Sequence, residues 1–130
     1  MTLSYYFSKT VTASFEAAIQ KVTEELKKEG FGILTDIDVK ATIKKKLDKD
    51  FRNYRILGAC NAPFAHQALV AEDKIGLMLP CNVIVQELSP SEVEVAAIDP
   101  IASMQAVKNP FLGDVAKEVQ AKLKKVIESL

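Results

Sequence analysis

Two Cys-Asn pairs, Cys60-Asn61 and Cys81-Asn82, and the only histidine, His66, are the side chains here best equipped for chemistry. Thiolate and imidazole are donors that zinc, copper and iron accept, and a thiol beside a helix N-terminus is pushed toward its nucleophilic form. Cys60 has that position, because Asn61-Ala62-Pro63 reads as a helix start with proline in the first turn. Cys60, Asn61, His66, Cys81 and Asn82 are therefore the candidate ligand-binding residues, with Cys60, His66 and Cys81 the candidate donors to a transition metal. Spacing supplies the counter-argument: no Cys-x-x-Cys or His-x-x-x-His motif occurs. Free cysteine is among the most buried residue types, so two packed thiols and a surface histidine account for the same residues. No other cofactor is predicted.

Acid and base groups add little. Asp36, Asp38, Glu72, Asp73 and Asp99 are the carboxylates near the candidate segments. Asp36 is expected to cap a helix and Asp99, ahead of Pro100, to sit in a turn. No nucleophile elbow, phosphate-cradling glycine loop or dinucleotide fingerprint is present, so no catalytic motif is recognisable. Lys40, Lys44, Lys45, Lys46, Lys49, Arg52 and Arg55 place seven of the 17 basic residues within 16 positions. Such a run neutralises phosphates in nucleic-acid binders, but lysines on the outer face of an amphipathic helix are ordinarily just solvated. Nucleic acid ranks last among the partners considered.

The elements that must position these residues follow from periodicity. Leu3, Tyr5 and Phe7 alternate with polar residues, which predicts a first strand over Leu3 to Ser8. Thr12 or Ser14 can cap a helix whose apolar stripe is Phe15, Ala18, Ile19, Val22 and Leu26, ending at Gly30. An extended run through Phe31, Ile33 and Thr35 precedes a short helix after Asp36, with Ile37 or Val39, Ile43 and Leu47 expected on its buried side. Phe51 to Cys60 reads as a strand and the segment after Pro63 as another short helix. Cys81 to Glu87 is apolar enough to predict a strand buried on both faces, pairing through Ser89-Pro90-Ser91 with Val93 and Val95. After an irregular link from Ile101 to Lys108, with a turn near Met104, Leu112 to Leu130 is a long amphipathic helix.

The order is strand, helix, four strands, helix, with two short inserted helices. Consecutive strands favour an α+β arrangement, an antiparallel sheet with one face under the first and last helices. The segments Leu57 to Phe64 and Ile75 to Asn82 are expected to line the other face as a pocket or a subunit interface. A homodimer covers such a face most economically.

The segments Leu57-Gly-Ala-Cys-Asn-Ala-Pro63 and Ile75-Gly-Leu-Met-Leu-Pro-Cys-Asn-Val83 resemble domain of unknown function family 302. So do Gly30 to Lys40, Asp99-Pro100 and the last helix, so the likeness spans nearly the whole chain. The resemblance implies an α+β fold of the TATA-binding-protein-like type, with a curved antiparallel sheet, and implies no activity. In that family Pro commonly follows Cys-Asn directly; here Ala62 intervenes, moving the expected helix start by one residue.

Composition sets the outer limits. The 130 residues carry 17 Lys+Arg against 17 Asp+Glu and are 48% hydrophobic, which excludes a disordered tail and a global field that draws polyanions. Residues 1–130 are expected to form a single domain with enough apolar surface for a core. The longest apolar run, Ile75 to Leu79, is far short of the roughly 20 residues that cross a bilayer. Met1 to Thr10 has strand character and no basic segment of a secretory signal, and two cysteines make no disulfide framework, so a cytosolic protein with reduced thiols and no membrane partner is expected. The expected function is a non-enzymatic small-ligand-binding or interaction module forming a homodimer. The alternative is a thiol- or metal-dependent catalyst or redox protein using Cys60 and Cys81, with His66 as base or ligand.

Overall fold

A computed structural model describes residues 4–130, and the expected strand residue Leu3 lies outside them. In chain order the elements are β1 (Tyr6–Thr12), α1 (Phe15–Lys28), β2 (Gly32–Asp38), α2 (Val39–Leu47) and β3 (Tyr54–Cys60). They continue as α3 (Ala62–Ala71), a short 3-10 helix (Asp73–Met78), β4 (Cys81–Ser89), β5 (Glu92–Ile98), α4 (Pro100–Ser103) and α5 (Pro110–Glu128). The strands form one open sheet in the order β1-β5-β4-β3-β2, with every neighbouring pair antiparallel. This is the expected α+β class and order.

Side chains alternate across the sheet, so each strand sends one set toward the helices. Leu57, Ala59, Cys81, Val83, Val85, Val93, Val95 and Ala97 form that set, packed against Ala18, Val22 and Leu26 of α1 and Val119, Leu123 and Val126 of α5. A smaller cluster of Ala68, Ile75 and Leu112 joins α3, the 3-10 helix and the start of α5. No helix of the described residues is long and apolar enough to cross a membrane.

The helix ends follow the chemistry of their sequences. Ser14 Oγ accepts from Ala17 N–H at 3.2 Å to cap α1. At its far end Gly30 takes φ +87°, the left-handed conformation glycine adopts most easily, while Gly30 N–H donates to Lys27 O and Phe31 N–H to Leu26 O. Asn109 Oδ1 accepts from Phe111 N–H at 3.1 Å to open α5.

Four expectations are corrected. Asp36 does not cap α2; strand pairing with β3 runs on through Asp38, and Asp38 Oδ1 accepts from Ala41 N–H at 3.0 Å instead. No residue of α2 is fully buried: Val39 and Ile43 are only half-buried against β2 and β3, and Leu47 is 63% exposed. β4 is buried on one face only: Cys81, Val83 and Val85 are in the core, while Asn82 is exposed and Ile84 and Gln86 are half-buried on the uncovered side. Leu57, Ala59, Ile75 and Cys81 consequently lie on the helix side of the sheet, not on its open face.

Candidate functional site

Where the two apolar clusters meet, the structure leaves a cavity of about 40 Å³ lined from both. Ala59, Cys60 and Cys81 line it from the sheet, with Phe31 beside them. Phe64, Ala65 and Ala68 of α3, Leu79-Pro80, Pro100, Met104, and Leu112, Val115, Ala116 and Val119 of α5 complete the wall, together with Asn61. The space holds about two or three water-sized spheres. Its lining is apolar apart from an amide and three sulfur-bearing side chains.

Strand register brings the backbones of the two cysteines close, and both residues line the cavity. β3 and β4 are antiparallel, with Ala59 opposite Cys81, so Cys60 falls one position from that pair although 21 residues separate the cysteines along the chain. Both are free thiols, Cys81 buried and Cys60 half-buried. Burial first, and the neighbouring Cys60 second, push the Cys81 thiol up to about 11. A thiol so shifted stays protonated at neutral pH and is a poor nucleophile on its own.

Asn61 stands at the N-cap of α3, yet its side chain makes no cap hydrogen bond. Asn61 Nδ2 instead donates to Glu29 O at 3.2 Å, tying the end of α1 to the start of α3 across the mouth of the β2–β3 pair. A Cβ at Gly30 would come within 3.2 Å of that amide nitrogen, so the glycine that ends α1 also admits this strut. The first-turn N–H groups of α3 are thereby left uncapped by Asn61, with the positive end of the helix dipole next to Cys60.

Pro80 lies close over Gly58 of β3. A Cβ on Gly58 would overlap Thr35 Oγ1 and lie 2.7 Å from Pro80 Cγ, so this position admits no side chain while those two groups cover it. The Leu79–Pro80 peptide is cis. Gly58 and Pro80 are the residues that sequence reasoning passed over; Gly-x-Cys ahead of Pro-Cys was the available signal, and it needs the β3–β4 register to be read.

The five candidate residues do not form one site. Cys60, Asn61 and Cys81 share the cavity. His66 is exposed on another face of α3, in a shallow surface groove with Gln67, Val70, Ala71, Phe111 and Val115. Asn82 is exposed on the open face of the sheet, in a depression of about 340 Å³ bordered by Tyr5, Tyr6, Tyr54, Ile84, Gln86 and Glu94. Strand alternation separates it from its neighbour Cys81. Among the described residues no three His, Cys, Asp or Glu side chains gather where they could hold a metal, so Cys60, His66 and Cys81 are not assembled as a ligand set.

Several of the other charged groups form local structure. Arg55 bonds Asp36 at 3.0 Å, and its Nε lies 3.7 Å from Asp38. Lys44 pairs with Asp48 at 3.2 Å and Asp50 at 3.4 Å, and Arg52 stacks over Phe51 and bonds Gln86. Asp99 caps α4 and accepts from Gln120 Nε2 at 3.1 Å. Glu72 and Asp73 lie at the end of α3 and in the 3-10 helix, outside the cavity lining.

Comparison with known proteins places this geometry in a family. The family model described as Domain of unknown function DUF302 matches residues 7–130. The chain belongs to the DUF302 family. Among solved structures, the crystal structure of the uncharacterized conserved protein DUF302 from Bacillus stearothermophilus has a similar fold, with a TM-score of 0.88 at 24% sequence identity. The match covers 97% of this chain and 98% of that one. No functionally curated protein matches the chain. The resemblance carried by the Cys-Asn segments is thus confirmed as DUF302 membership.

Proposed function

We propose that this DUF302 chain is a non-enzymatic binding module whose ligand site is the cavity at Cys60, Asn61 and Cys81. One observation carries the reading: an apolar cavity lined by both cysteines sits between otherwise dense packing clusters. Cores are close-packed, so a void at the junction of sheet and helices is where a small ligand gains burial without displacing a side chain. Its volume limits the ligand to a few heavy atoms. The shift of Cys81 toward the protonated thiol favours binding over nucleophilic catalysis, which needs the thiolate. In a reducing cytosol both thiols remain available.

The homodimer belongs to the same proposal. Tyr5 and Tyr6 are exposed beside Ile84 and Ile98 on the face that no helix covers, and Ile37 is 46% exposed farther along the sheet. With 17 charges of each sign, the chain presents no net repulsion to a second copy seated there. Native mass spectrometry of the purified protein, with elemental analysis, reads mass, subunit number and retained ligand together. A dimer carrying a small non-protein mass that disappears in Ala116→Val, a cavity-filling variant, is the expected result. An empty monomer, unchanged by that substitution, sinks the proposal.

A further inference from the structure

Three residues lining the cavity carry sulfur: Cys60 at the end of β3, Cys81 at the start of β4 and Met104 at the C-cap of α4. They come from three separate segments, and tertiary packing makes all three line a space of about 40 Å³. Such a volume suits a single ion far better than an organic molecule. The donor set is soft, and thiolate with thioether selects copper(I), which two or three sulfurs satisfy. Zinc is a poor match, since its structural sites take four ligands and neither His66 nor a third cysteine is here.

Resting on the binding-module reading above, we infer that this cavity is a site for a soft monovalent metal ion, copper(I), held by Cys60 Sγ and Cys81 Sγ with Met104 Sδ as the weaker third donor. No electron is transferred: copper enters as Cu(I), two S–H bonds break, two copper–thiolate bonds and one weaker copper–thioether bond form, and two protons pass to solvent. The bound unit then carries one net negative charge. Burial opposes that charge, and the uncapped N-terminus of α3 beside Cys60 offsets it. Half-buried Cys60 gives the ion its way in, whereas Cys81 is closed off from solvent. Met104 is the residue that motif reasoning omits, because thioethers have no characteristic spacing.

The test is titration of the folded, reduced protein with Cu(I) under ascorbate, in competition with a chromophoric Cu(I) chelator. One equivalent per chain is expected, with a near-ultraviolet sulfur-to-copper charge-transfer band. Because two protons leave, apparent affinity should rise about 100-fold per pH unit while both thiols are protonated in the free protein. Cys60→Ser and Cys81→Ser should each weaken binding by about 100-fold or more, and Met104→Leu by about 10-fold. His66→Gln should change nothing. Far-ultraviolet circular dichroism of each variant keeps a folding defect apart from a binding defect. No retention by the folded wild-type chain, or retention unaltered in the double serine variant, overturns the inference. A xenon NMR titration separates the two readings: xenon uptake without copper retention keeps the ligand cavity and discards the metal, and neither signal discards both.

Discussion

The two faces of β4 carry neighbouring residues to opposite fates. Cys81, Val83 and Val85 enter the core against α1 and α5, while Asn82, Ile84 and Gln86 look out from a face that no helix covers. A strand period of two separates Cys81 from Asn82, whose peptide bond joins them, while antiparallel register sets Ala59 opposite Cys81 and packing lets Cys60, 21 residues away, line the same cavity. Candidate residues adjacent in sequence are therefore a poor guide to one site when they lie on a strand. The covered face is also where substitutions should be costly, and the open face where they should be nearly silent.

Paired substitutions at Asn82 and Val83 test that difference most severely. Val83 is fully buried between helices and sheet, so Val83→Asp puts a carboxylate where nothing can solvate or pair it. A loss of about 5 kcal/mol or more is expected, enough to leave the chain unfolded at 25 °C if its stability is ordinary. Asn82→Asp makes the same charge change one residue away on the exposed side and should cost less than about 0.5 kcal/mol. Urea denaturation monitored by circular dichroism measures both. Equal losses would mean that the open face is buried as deeply as the core in solution, which a tight dimer through that face would produce.

A pH series probes the covered face at the site itself. Cys81 titrates at an ordinary 9.0 when unfolded and at about 11 when folded, chiefly because burial disfavours its thiolate. A folded value above the unfolded one stabilises the protein fully below pH 9, and that contribution fades as pH rises toward 11. Two pH units correspond to about 2–3 kcal/mol. Other groups titrate in the same range, so the measurement is a difference: wild type should lose about 2–3 kcal/mol more than Cys81→Ala between pH 8.5 and 11. Parallel curves would place the Cys81 thiol in contact with solvent.

Much of this was legible in the sequence, and the failures share a cause. The stripe Phe15, Ala18, Val22, Leu26 with Gly30 behind it specifies α1 locally, and the structure follows it to the left-handed glycine. The stripe Val39, Ile43, Leu47 of α2 is equally periodic, yet spacing says which side of a helix would be buried and not how deeply its neighbours bury it. In β4, Ile84 made an apolar run that imitates two-sided burial, whereas it lies on an uncovered face. Cys60, Asn61 and Cys81 stood out as residue types; their sharing of one cavity depends on tertiary packing, which no local pattern encodes. Met104 and the Gly58–Pro80 contact depend on tertiary packing alone.

The smallest expected effect separates two asparagines that the sequence presents as equivalents. Asn61 is buried and donates from Nδ2 to Glu29 O at 3.2 Å, whereas Asn82 is exposed on the open face. Asn61→Ala removes a strut between the ends of α1 and α3 and leaves the Glu29 carbonyl without that donor, so about 1 kcal/mol should be lost. Asn82→Ala should stay within about 0.5 kcal/mol of wild type. Amide hydrogen exchange adds a positional readout. The strut spans Glu29 to Asn61, so faster exchange in Asn61→Ala should appear at the last turn of α1 and the first turn of α3, with β5 unaffected. If exchange quickens uniformly over the sheet, Asn61 contributes only global stability; if it does not quicken at all, the Cys60 end of the cavity is held by the β2–β3 pairing without the amide.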